Sequence, residues 1–284
     1  MIQLLPQALL SGLSVGMIYV LAASGLTLVY GIMRLLNFAH GELYMLGGYI
    51  VFFLFEESGV PYVLSLLISM VAVGFLGVAL ERFFFRPFRE EHDPSLMIAL
   101  GLLILISGAA LIAFGGGERG VRSLLPGTVS ILRAKVSMDR LAVMAVAAAI
   151  MGALYLFLYK TRAGRGIRAV SQDAGAAAMN GIDVDRTIAL GFGLSCALAA
   201  AAGALVTPIY FVSPFVGGPI VFKALVVIAV GGMGSLLGAV IAGIILGVVE
   251  SVSFMFIGGM ADAIGFLLLI LILLFRPRGL MGRY

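Results

Sequence analysis

The chain has 284 residues, 62% of them hydrophobic and 11% charged, with a formal net charge of +4. Soluble domains carry about 25% charged residues, so the composition excludes a soluble globular protein and points to an all-α polytopic membrane protein. The positive balance does not indicate a nucleic-acid partner, because the basic residues fall in short segments between apolar runs, where they set orientation.

A bilayer core of about 30 Å takes roughly 20 apolar residues per helical crossing. Runs near that length predict spans over 8–30, 40–55, 61–81, 95–114, 139–159, 187–212, 235–256 and 260–275. The first run follows an uncharged "MIQLLPQ" without the basic n-region of a cleaved signal, so it is expected to be retained. A shorter apolar piece at 220–232 predicts a short or re-entrant helix, making eight or nine crossings in all. The longest loops are too short to hold a second core, and residues 1–284 read as a single transmembrane domain.

Between the first two spans, "YGIMRLLNFAHGELYMLGGY" concentrates Arg34, Asn37, His40 and Glu42 among apolar residues. Ionisable groups near a membrane interior are costly and point to function; an ordinary turn between spans fits the same residues equally well. Basic clusters follow at Arg82, Arg86 and Arg89, at Lys160, Arg162, Arg165, Arg168 and Arg186, and at Arg276, Arg278 and Arg283. Placing all three clusters in the cytoplasm puts the N-terminus, Glu56, Glu57 and the 115–140 loop outside and the C-terminus inside. That loop carries four Arg and one Lys against the rule, and its "TVSIL" predicts a small strand or a surface-lying segment.

Glycine is about twice as frequent as the usual 7% or so. The pairs Gly12/Gly16, Gly234/Gly238 and Gly243/Gly247 make small-xxx-small faces suited to close helix approach. In "GGMGSLLG", Gly231, Gly232 and Gly234 are dense enough to break a helix, and a break at membrane depth is tolerated inside protein or along a polar path. Gly231, Gly232 and Gly234 are therefore translocation-path candidates, with Asn37, His40 and Glu42.

Enzymatic chemistry is not indicated. Cys196 is the only cysteine, His40 and His92 show no metal-ligand spacing, and Glu250 and Asp262 lie near span ends without an evident acid–base partner. No metal or cofactor is expected. The only lysines, Lys135, Lys160 and Lys223, do not follow a glycine, so a Walker A loop is absent. Either a separate subunit supplies ATP hydrolysis, or the chain is a stand-alone secondary transporter or channel with Glu42 or Glu250 as its proton or cation site.

The polar segment "TRAGRGIRAVSQDAGAAAMNG" lies between the fifth and sixth spans. Ile167, Val170, Ala174, Ala177 or Ala178 and Gly181 recur at helical spacing along one small-residue face, with Arg168, Gln172 and Asp173 opposite. Periodicity and charge leave a solvated basic loop as the alternative to a partner-docking helix.

Within this segment, "DAGAAAMNGI" resembles the E-A-A-x-x-x-G coupling motif of ATP-binding cassette importer permeases, with Gly175 in place of the Glu and Ala176, Ala177 and Gly181 matching. Together with "NFAHGELYMLGGY", "TRAGRGIRAVSQD", "KALVVIAVGGMGSLLGAVIAGIILG" and "LLFRPRGLMG", in the same order, it looks like the shorter permease of branched-chain amino acid ABC transporters. The resemblance implies a multi-pass subunit of the bacterial inner membrane, surrounded by lipid. Its implied partners are a second, related permease, two cytoplasmic ATPases and a periplasmic binding protein. It also implies that 160–186 docks on an ATPase through Arg165, Arg168, Asp173, Gly175, Ala176, Ala177 and Gly181. Substrates of the family extend to urea, short amides and aromatic acids.

Overall fold

The structure is a computed structural model that describes residues 5–89, 92–131 and 134–282; Arg133 and Arg283 lie outside the described residues. Eleven α-helices and one β-hairpin follow in chain order among those residues. They are α1 (Leu5–Met33), α2 (His40–Val51), α3 (Tyr62–Leu80), α4 (His92–Phe114), α5 (Met138–Lys160), α6 (Arg162–Gln172), α7 (Ala174–Met179), α8 (Val184–Val206), α9 (Gly217–Gly231), α10 (Leu236–Ile257) and α11 (Ala261–Phe275). This is an all-α polytopic membrane architecture. Among the described residues, six helical segments are long and apolar enough to cross a bilayer, the last being α10 and α11 together. Every span predicted from the sequence falls on a helix, although the one drawn to 212 stops at Val206. The predicted strand exists, with β1 (Thr128–Ile131) pairing antiparallel to β2 (Ala134–Ser137).

Small residues set how closely the helices pack. The face of Gly12 and Gly16 on α1 lies against that of Gly243 and Gly247 on α10: a Cβ at Gly12 would stand 2.7 Å from Val248 Cα, and one at Gly16 would stand 3.0 Å from Ile244 Cα. Without side chains between them the two backbones touch, which is where close helix packing in lipid gains its dispersion energy. The fully buried run Ala199–Ala202 does the same for α8, which packs between α1, α2 and α3.

Two helices do not run the full depth. The chain leaves α1 at Arg34, in the left-handed region at φ 52°, and doubles back. His40 then bonds to the carbonyl of Ala22, a residue about 16 Å back from Met33 along α1 at 1.5 Å per residue. The six residues between Met33 and His40 are long enough, extended, to cover that distance. So α2 starts midway along α1. In turn α9, of 15 residues and about 22 Å, is too short for the bilayer core and begins against the start of α2.

The two ends of the bundle differ. At one end lie the hairpin, the start of α5 and the α10–α11 turn, where Gly258 takes φ 57°. At the other lie α6, α7 and the start of α8. There Glu81, fully buried, pairs with Arg89, whose guanidinium also donates to Asp185 at 2.8 Å. Two of the basic clusters read from the sequence therefore share one end.

Candidate functional site

The start of α2 is polar and dry. Asn37, His40 and Glu42 are each at most 2% exposed. Asn37 Oδ1 accepts from the Ala39 amide at 3.1 Å, turning the chain into α2. His40 Nε2 donates to the Ala22 carbonyl at 2.9 Å, and its ring fits because Gly25 has no side chain: a Cβ there would stand 2.9 Å from His40 Cε1. The Glu42 carboxylate lies over Gly217, where a Cβ would come within 2.7 Å of its Cδ. A carboxylate at a helix N-terminus is favoured by the partial positive charge of the free amides, so Glu42 joins α2 to α9. His40 Nδ1 and Glu42 Oε2 have no hydrogen-bond partner among the described residues.

The predicted glycine break is real but lies at the far end of α9, about 21 Å from Gly217. Gly232 and Gly234 take φ 102° and 81°. The C-terminal segment crosses this break, its Leu280 amide donating to the Val230 carbonyl at 2.7 Å and its Met281 amide to the Gly231 carbonyl at 2.9 Å. These bonds satisfy carbonyls at the end of α9 that the helix leaves open. The two halves of the sequence-derived path are thus held apart by the length of α9.

A third polar group, not assembled by the sequence reading, lines a cavity of about 970 Å³ among α1, α9, α10 and α11. Tyr19 donates to Glu250 Oε2 at 2.6 Å. Lys223 Nζ donates to the Tyr19 hydroxyl at 2.9 Å, to Glu250 Oε2 at 3.1 Å and to Asp262 Oδ1 at 3.0 Å. Glu250 and Asp262, for which the sequence offered no partner, share this lysine. The available signal was a lone lysine inside an otherwise apolar helix, which is costly unless paired. Apolar and aromatic side chains, among them Ile18, Ile220 and Phe254, complete the wall, and Arg140 at the start of α5 stands at its edge.

At the opposite end, α6 and α7 form a bent pair. Thr161 caps α6 by accepting from the Gly164 amide at 3.0 Å, and Asp173 caps α7 by accepting from the Ala176 amide at 2.9 Å. Gly181 turns the chain toward α8 at φ 79°, a conformation that favours glycine. Of the predicted small-residue face, Ile167, Val170 and Ala177 are buried but Ala174 and Gly181 are exposed, because α6 ends at Gln172 and the face does not run unbroken into α7; Arg165, Asp173 and Gly175 are exposed. Arg168 is bound within the chain: its Nε donates to the Leu158 carbonyl at 3.0 Å and its guanidinium lies 4.3 Å from the Tyr159 ring centroid. A Cβ at Gly175 would stand 3.3 Å from Asp173 Oδ1, so a longer side chain there would crowd the α7 cap. Beside the pair a basic groove of about 560 Å³ is lined by Arg162, Arg165 and Arg186.

The family described as "Branched-chain amino acid transport system / permease component" matches residues 8–275. The chain is 35% identical to the high-affinity branched-chain amino acid transport system permease protein BraD of Pseudomonas aeruginosa, over 98% of this chain and 95% of that one. It is 33% identical to LivH of Escherichia coli, a permease protein of the same description, with the same coverage. A probable branched-chain amino acid transport permease of Methanocaldococcus jannaschii is 30% identical over 93% of this chain and 88% of its own. Among solved structures, a chain of PsaBC from Streptococcus pneumoniae in complex with Fab shares the fold with TM-score 0.52 and 14% identity, covering 95% of this chain and 91% of that one.

Proposed function

Since the chain belongs to the branched-chain amino acid permease family, we propose that it is the membrane-spanning subunit of an ATP-driven importer for branched-chain amino acids in the bacterial inner membrane. It is a transport pore and not an enzyme. Its partners are a second, related permease, two cytoplasmic ATPases and a periplasmic binding protein that delivers the substrate. The end bearing α6 and α7 faces the cytoplasm, with the C-terminus, and the N-terminus is periplasmic.

One observation carries this reading. Arg140 at the start of α5 borders the cavity and α6 follows the end of α5, so a helix of 23 residues, about 34 Å, separates the cavity that holds the Lys223 cluster from a capped surface helix pair. A pore driven by a borrowed motor needs that arrangement. ATPase closure moves α6 and α7 through the exposed Arg165, Asp173 and Gly175 and the half-buried Ala176, with Ala177 and Gly181 setting their shape. Arg168 keeps α6 fixed to α5, so displacement is transmitted along α5. Asn37, His40 and Glu42 act at the joint of α2 and α9 beside the path, and Gly231, Gly232 and Gly234 form a hinge at its inner end. Glu250 is paired with Lys223 and bonded to Tyr19, which argues against a lone cation-coupling acid in a stand-alone transporter.

The test is co-purification in mild detergent after expression with the genomic neighbours, followed by uptake in proteoliposomes. The expected result is two Walker-A-containing ATPases and a second permease, with leucine uptake that requires ATP and the binding protein. Leucine uptake by this chain alone, without ATP, would overturn the reading.

A further inference from the structure

The partners of Lys223 are unequal. Tyr19, Glu250 and Lys223 close a ring of hydrogen bonds in which Tyr19 donates to Glu250 and Lys223 donates to both. Glu250 has 10% of its side chain exposed and Lys223 19%. Asp262, the remaining acceptor, lies in the first turn of α11 with 65% of its side chain exposed. Within this cluster one cation therefore faces two carboxylates, while the cavity's other cation, Arg140, is held at the edge by Ser14 and the Tyr210 ring; the more exposed carboxylate is the one that a ligand can displace at least cost.

Charge balance selects the ligand. The α-carboxylate of a zwitterion takes the Lys223 hydrogen bond from Asp262, and the freed Asp262 carboxylate takes the ligand's ammonium. No charge of the Lys223 cluster is left unpaired after the exchange, and the net charge of the cluster is unchanged. An isolated carboxylate placed on Lys223 would leave Asp262 unpaired beside a second anion. An amine would sit on the free oxygen of Asp262 without opening the lysine contact, and a neutral amide supplies no charge to exchange.

We propose that this cavity is an α-amino acid site in which Lys223 reads the carboxylate and Asp262 the ammonium. Tyr19 and Glu250 hold the lysine, and Ile18, Ile220 and Phe254 receive an aliphatic side chain. Its volume lies in the range of small-molecule pockets, about 300–1,000 Å³. The proposal rests on the amino acid permease reading and assigns residues of this chain a direct part in substrate selection.

The test uses the complete transporter in nanodiscs without its binding protein, with saturation-transfer NMR on millimolar L-leucine, 4-methylpentanoate and 3-methylbutylamine. Signal on the leucine methyls is expected to exceed that of 4-methylpentanoate at least fivefold. Lys223→Gln and Asp262→Asn should each reduce the leucine signal at least fivefold, Lys223→Arg should retain it, and the amine signal should be indifferent to Lys223→Gln. Equal signals from leucine and 4-methylpentanoate in the unmodified transporter, a comparison that needs no variant to fold, would refute the site. So would a leucine signal that survives Lys223→Gln. ATP-dependent leucine uptake, run in parallel on the unmodified complex with its binding protein, separates this failure from failure of the permease reading, which would abolish uptake itself.

Discussion

Gly12→Ala tests whether direct backbone contact holds α1 to α10. The added methyl would stand 2.7 Å from Val248 Cα, 2.8 Å from the Gly247 carbonyl oxygen and 2.9 Å from Ser251 Cβ. None of these is the far end of a flexible side chain, so the helices themselves must part. Ordinary contact begins near 3.4 Å, which requires a separation of about 0.7 Å. Such a gap forfeits a quarter to a half of each dispersion contact of about 0.15 kcal/mol, so roughly thirty contacts along the crossing lose about 1–2 kcal/mol. Local overpacking costs typically 1–3 kcal/mol, and after the gain of about 1 kcal/mol from alanine in place of glycine within α1 the net loss is about 1–4 kcal/mol. The control is Gly152→Ala on α5, where nothing lies within 4 Å of the added atom and alanine is the better helix former by about 1 kcal/mol. Both variants would be followed by thermal unfolding in one detergent. Gly12→Ala should unfold several degrees below the parent and Gly152→Ala at or above it; equal midpoints for the two variants would refute backbone contact as the source of the α1–α10 association.

Three further outcomes follow from local geometry. Gly232→Ala places a Cβ 2.5 Å from the Gly282 amide at a residue with φ 102°; it should release the C-terminal segment, seen as faster hydrogen exchange at Leu280 and Met281 with the α1–α10 amides unchanged. Asp139→Ala removes the carboxylate that accepts from Ser123 Oγ at 2.6 Å and from the Leu124 and Leu125 amides at 2.9 Å. With charge-assisted bonds worth about 1.5–3 kcal/mol each, exchange at those two amides should accelerate at least tenfold, and unchanged protection would show that the loop is held otherwise. Arg168→Glu loses the Leu158 and Tyr159 contacts, so ATP hydrolysis by the assembled transporter should persist while leucine uptake falls at least fivefold. Arg168→Ala should do the same, and uptake left intact in both would remove Arg168 from the coupling route.

Much of this protein was legible in its sequence, because lipid permits few solutions. A backbone that cannot bond to water inside a bilayer must be helical, so hydropathy located the spans and glycine spacing marked the Gly12/Gly16 and Gly243/Gly247 faces, while their packing on each other came from the structure. Helical structure between the fifth and sixth spans followed from periodicity, but its division into α6 and α7 at Asp173, which caps α7 instead of lying on one face of a single helix, was decided by the structure. Where α2 and α9 begin in depth was decided only in three dimensions. That depends on Gly217 lying beneath Glu42 and on His40 reaching Ala22, contacts between residues far apart in the chain. The Lys223 cluster shows the same limit most plainly: Tyr19, Lys223, Glu250 and Asp262 come from four helices and share no spacing that a linear reading can detect. An unpaired charge in an apolar helix announces in sequence that a partner must exist, because its solitary burial is too costly; which partner answers is a property of helix packing.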